Sequence, residues 1–165
     1  MKKINKIFFV LICVLCSAQL ALYAEYNSTL LKHHIQFSPP TGWNQISLGP
    51  FAADIEGIAF RSPDEKAVIT VSLPKKTNFI SFHGALILFR LSKRPKEEKI
   101  TFCDESCYIF DFEQINKNNI KVLTKTYKFL KKNKLYTISY YSSPNEYRQY
   151  LPEFKKALAT FKIIE

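Results

Sequence analysis

Along this chain the apolar positions change their period several times, and each change marks an element. The runs "IEGIAFRSP" (55–63) and "KAVITVSLP" (66–74) are rich in branched and aromatic residues. With the turn formers "SPDEK" between them, they predict two antiparallel strands in a hairpin. "CYIFDFEQ" (107–114), "IKVLTKTYKFL" (120–130) and "LYTISYYSS" (135–143), separated by "INKNN" and "KKNK", predict a three-strand meander. In the first of these strands Tyr108, Phe110 and Phe112 alternate with Ile109, Asp111 and Glu113, giving one apolar and one mixed face. Lys121, Lys125 and Lys128 punctuate the next, as expected where a sheet face meets water.

Two segments carry the helical period instead. Phe79, Phe82, Leu86, Phe89 and, less regularly, Ile80 predict a helix that Thr77 or Asn78 caps and Pro95 ends. Gly84 weakens that pattern, and "ALILF" within it is too short to span a membrane. Near the C-terminus, Tyr147, Leu151, Phe154, Leu158 and Phe161 form one apolar stripe. Ser143, Pro144 and Glu146 precede it as a capping box with proline at the first helical position. Pro152 predicts a kink or the loss of the first turn. Upstream, "IQFSPPTGW" reads as a short strand, a proline-stiffened turn in which Gly42 supplies a positive φ, and an anchoring Trp43. No period of 20–50 residues repeats, which excludes a solenoid.

The first 24 residues stand apart. Lys2, Lys3 and Lys6 precede the apolar "IFFVLICVLC" (7–16), and "LYA" (22–24) offers a small residue before Glu25. That succession predicts an export signal cleaved after Ala24, with residues 25–34 a polar lead-in and 35–165 one domain. An uncleaved anchor is a second reading, since only Ser17 and Gln19 interrupt residues 7–24. Lipidation at Cys16 is a third, but Leu15 stands where such signals carry a small residue.

Charge and cysteines narrow the chemistry. The chain has 24 Lys and Arg against 14 Asp and Glu, a net charge of +10. Cleavage after Ala24 removes three lysines and no acid, leaving +7. In an exported protein this excess excludes a nucleic-acid partner and points to another envelope protein or an anionic surface. Cys13 and Cys16 leave with the signal, and Cys103 and Cys107 in "TFCDESCYIF" remain. An even pair in an exported chain predicts a structural disulfide across a tight turn. The spacing is not the C-x-x-C of redox proteins, and His33, His34 and His83 offer no metal-ligand pattern.

Catalytic signatures are missing from the sequence. There is no G-x-S-x-G, no H-E-x-x-H and no phosphate-binding glycine loop among four glycines, so no cofactor or metal is expected. Asp104 and Glu105 read as solvated turn carboxylates, the His33–His34 pair as surface, and "NST" (27–29) as a chance glycosylation triplet. Tyrosines at 140, 141, 147 and 150 crowd one loop. The surplus beyond the core makes Tyr141, Tyr147, Arg148 and Tyr150 the candidate binding rim.

"KNKLYTISYYSSPNEYRQYLPEFKKALATFKI" resembles the ending of the PsbP/Mog1/DcrB-like superfamily, in which a strand runs into S-P-x-x-Y, then an amphipathic helix, then a terminal Phe. "IQFSPPTGW" is similar to the P-x-G-W entry of those domains, so the resemblance covers about residues 35–164. It implies an α+β fold, an antiparallel β-sheet flanked by helices in an α/β/α sandwich. Members of that superfamily, among them a photosynthetic extrinsic subunit and periplasmic proteins, bind macromolecules without catalysis. Two functions follow as expectations: a non-catalytic envelope accessory protein, or a small secreted hydrolase or thiol-redox protein with an unrecognised site.

Overall fold

A computed structural model describes residues 29–46, 56–115 and 119–164. The expected signal segment, its cleavage point, Cys13, Cys16 and Asn27 lie outside these residues. Among the described residues the main sheet has eight strands, all paired antiparallel. They are β2 (Asn44–Ile46), β3 (Gly57–Arg61), β4 (Ala67–Ser72), β5 (Lys75–Lys76), β6 (Lys96–Phe102), β7 (Glu105–Ile115), β8 (Lys121–Lys131) and β9 (Lys134–Ser142). The order is β2-β3-β4-β9-β8-β7-β6, with β5 pairing the start of β9. A separate ribbon joins β1 (Ile35–Gln36) to β10 (Lys162–Ile163), tying the two ends of the domain together. The α+β class and the flanked antiparallel sheet stand as expected.

The meander has four strands rather than three. β6, "KEEKITF", carries no apolar alternation because it is the edge, where charges block pairing with another chain. Two-residue turns fix the registers. Cys103–Asp104 joins Phe102 to Glu105, and Lys132–Asn133 joins Lys131 to Lys134, all four turn residues having positive φ. Those mirror-image turns match the right-handed twist of the strands they connect. Gly42 has φ +81°, as the turn before Trp43 requires.

The helices lie on opposite faces of the sheet. α1 (Phe79–Lys93) is capped by Asn78, whose side chain accepts from the Ser81 amide at 2.7 Å. It buries Phe82 and Leu86 against Phe110, with Phe89, Tyr108 and Phe112 alongside. α2 (Tyr147–Leu158) covers the other face, where Phe154 and Leu158 join Ile69, Ile109, Phe129 and Tyr140 in the larger core. Because strand side chains alternate, Phe110 serves one core and Ile109 the other.

Several expectations change. The capping box does not form: Glu146, the residue before α2, makes no capping bond, and its carboxylate lies 3.2 Å from Lys66 Nζ. The helix continues through Pro152, so no first turn splits off. Lys125 and Lys128 do not face open water, because β8 is covered on both sides. Lys125 is 12% exposed and pairs with Asp111 at 2.6 Å, and Lys128 lies under the Phe89 ring. Within the expected lead-in, residues 29–32 are helical and Leu30 is in the core.

Candidate functional site

The tyrosines around α2 form a structural network. The buried Tyr140 donates through its hydroxyl to the Tyr147 carbonyl at 2.9 Å and stacks on Phe154. Tyr147 donates to Asp111 at 3.1 Å, and Tyr150 to Asp64 at 2.6 Å. The Tyr150 bond, seconded by Ser62, holds the Asp64 carboxyl down at about 2, and the same bond pushes the Tyr150 phenol up to about 12. Trp43 is core, as expected. Its indole N–H reaches Glu153 at 2.8 Å and its ring meets Tyr150 edge-on. The expected rim is therefore not one surface. Tyr150 is buried and bonded to Asp64, Tyr141 lies on the opposite sheet face, and Arg148 alone of the four is exposed.

Cys103 and Cys107 are both free thiols in this structure. Cys103 occupies the β6–β7 turn, and Cys107 is fully buried in the α2-side core. Burial pushes the Cys103 thiol up and the Cys107 thiol up to about 12. Thiols so disfavoured as thiolates make poor nucleophiles. Among the described residues, no three His, Cys, Asp or Glu side chains cluster as a metal site.

On the α1 side the sheet is only half covered. Beyond the helix lies a cavity of about 390 Å³, floored by Thr70, Ser72, Thr137 and Ser139 and bordered by Lys128 and Tyr141. Ser72 spends its hydroxyl on the Thr137 carbonyl at 2.9 Å, and Ser139 shares a 3.0 Å bond with Thr126. Burial lowers the Lys128 ammonium pKa, and that cation sits 4.5 Å from the centre of the Phe89 ring. Hydroxyls, the ammonium groups of Lys75 and Lys128 and the Glu56 carboxylate can bind a polar group here. They include no base–nucleophile pair at hydrogen-bonding distance.

The most unusual surface is the outer side of α1. Ile80 is 81% exposed, Leu91 71% and Leu88 69%, with Ile87 also more than half exposed. These residues recur at i, i+7, i+8 and i+11, so they share one face, opposite Phe82 and Leu86. Phe79, expected inward, is 65% exposed and packs on His83. An apolar outer side was legible in "FISFHGALILFRL", and Ile80, expected on the same stripe as Phe82 and Leu86, belongs to that outer side instead. Among the described residues no helix is long and apolar enough to cross a membrane.

A seven-strand antiparallel path with one helix over each face and a short ribbon closing the termini defines a PsbP-like α+β domain. Solved structures bear this out. The solution structure of cyanobacterial PsbP (CyanoP) from Synechocystis sp. PCC 6803 is similar with a TM-score of 0.55 at 11% identity, over 80% of this chain and 88% of that one. LpqN of Mycobacterium tuberculosis, described as involved in cell envelope biogenesis, is similar with a TM-score of 0.53 at 13% identity, over 79% and 83%. The chain therefore has the PsbP/Mog1/DcrB-like fold. No family model and no curated protein matches its sequence.

Proposed function

We propose that this chain is an exported, non-catalytic accessory protein of the cell envelope that works by docking through an exposed face. The observation that carries this reading is the outer stripe of α1: four large apolar side chains held in water on a helix already anchored by its other side. Folding gains nothing from that exposure, and exposed apolar patches on soluble domains mark interaction sites. The envelope role described for LpqN, on a similar fold, agrees with it. So does the succession of basic, apolar and small residues over residues 1–24. A Cys103–Cys107 disulfide belongs to the same proposal, formed in the oxidising compartment before the core closes over Cys107.

Fractionation of cells producing the full chain tests it. The protein is expected outside the cytoplasm, associated with the envelope, with Glu25 as its first residue and a mass two hydrogens below the dithiol form. Cytoplasmic protein that keeps Met1 would overturn the reading.

A further inference from the structure

The outer stripe of α1 has a second property beside its apolarity, and together they select a partner. From Lys66 to Lys96 the chain contains no Asp or Glu. Lys75 leads into the helix on the α1 side of the sheet, paired across from Leu135, while Lys93 and Arg94 lead out of it, and all three are exposed. Lys99, on the neighbouring edge strand, extends its ammonium over Tyr108 on the same sheet face. The nearest carboxylate in sequence beyond the helix, Glu97, is neutralised by Arg90, whose guanidinium donates two bonds of 2.6 Å to it. An apolar strip about 17 Å long from Ile80 to Leu91, at 1.5 Å per residue, is therefore flanked at both ends by cations.

We propose that α1 is a monotopic membrane-docking helix, which lies in the plane of an anionic bilayer with Ile80, Ile87, Leu88 and Leu91 among the acyl chains and Lys75, Lys93, Arg94 and Lys99 on the headgroups. This rests on the docking face proposed above and names its partner. The helix matches the physics of an interfacial segment: too short and too charged at its ends to span, yet apolar on the side facing away from its own domain. A protein partner would need a complementary apolar groove. A bilayer needs only the acyl region for the stripe and anionic headgroups for the cations, and both features of α1 meet that requirement at once. The inner stripe, Phe82 and Leu86, fixes the orientation by clamping the helix to β7. Bound this way, the sheet lies over the membrane and α2 faces away from it.

Depth, rather than binding alone, is the readout to use, since the apolar residues 7–24 of the uncleaved chain would bind vesicles by themselves. Leu88→Trp places a reporter on the outer stripe, and Lys155→Trp places one on the exposed side of α2. Each full-length variant is mixed with vesicles of phosphatidylcholine, with or without phosphatidylglycerol, whose acyl chains carry bromine. The Leu88→Trp reporter is expected to shift to the blue and to be quenched several-fold more than the Lys155→Trp reporter, only when phosphatidylglycerol is present and less as salt rises. Adding Lys93→Glu and Arg94→Glu to Leu88→Trp should abolish the difference. Equal quenching of the two reporters, or none at either, overturns the lipid partner. If the wild-type chain still fractionates with the envelope, that result leaves the docking reading standing with a protein as its partner.

Discussion

The two helices cover the two faces of one sheet with opposite economies. On the α2 side, twenty-one buried residues form a single cluster that draws on both ends of the described chain, β3, β4 and all the long strands except edge strand β6. On the α1 side the apolar cluster among the described residues has three buried members, Phe82, Leu86 and Phe110, with five half-buried neighbours. Yet α1 is the more apolar helix. α2 turns Arg148, Lys155 and Lys156 to water, whereas α1 turns Ile80, Leu88 and Leu91 there. Apolar content and burial are thus decoupled across this molecule. The α2 face carries the stability of the fold, and the α1 face holds apolar surface in excess of what folding uses.

That contrast can be broken from its strongest side. Phe154 is fully buried, stacked on Tyr140 and edge-on to Tyr127. Phe154→Ala is expected to cost about 3–5 kcal/mol in denaturant melts, enough to unfold a marginal domain. Leu86→Ala, equally buried in the smaller cluster, should cost about 2–3 kcal/mol, the low end for its type, because the exposed helix above it can settle into the cavity. A loss as large as that of Phe154→Ala would erase the difference between the faces.

Gly84 lies on the outer side of α1, and a methyl group added there meets nothing within 4 Å. Gly84→Ala should raise stability by about 0.5–1 kcal/mol through the backbone freedom that it removes from the unfolded chain. Leu88→Ser should change the melt by less than about 0.5 kcal/mol, since the side chain already stands in water. A large destabilisation by that change would mean that the outer stripe is part of the core after all.

The smallest effect is one of pH and separates the polar networks. Asp64 titrates at about 2 in the folded protein against 3.8 for the free group, so its contribution is present above pH 4 and lost as pH falls toward 2. Its partner Tyr150, raised from 10 to about 12, contributes below pH 10 and loses that contribution as pH rises through 12. Tyr150→Phe should flatten both arms of the stability profile. Arms unchanged in that variant would show that other groups set them.

Much of the architecture was legible in the amino-acid sequence because it rests on local periodicity. The hairpin of β3 and β4, the strands β7, β8 and β9, and both helices follow from apolar spacing, and the α2 stripe placed Phe154 and Leu158 in the core. β6 was not legible, because an edge strand is defined by the backbone bonds it makes to β7 rather than by its side chains. The capping box failed for a related reason. Its local signal was present, but Lys66, eighty residues away in sequence, claims the Glu146 carboxylate. Tyr150 read as a rim residue because nothing nearby in sequence reveals that Asp64 waits for its hydroxyl.

For this protein, then, the sequence alone determined most of the segments that become helix or strand, β6 and the turn of helix at 29–32 excepted, since those choices depend on residues within a few positions of one another. It also carried the basic, acid-free flanks of α1 and the apolarity of that helix on all sides. Which of those sides faces the sheet was decided only by the tertiary structure. Two apolar stripes of comparable strength lie on one helix, and Phe110, Tyr108 and Phe112 on β7 offer aromatic surface that fits the phenylalanine-rich stripe. The sheet takes that one, and Ile80, Ile87, Leu88 and Leu91 are left outside because a helix can turn only one side to its own core.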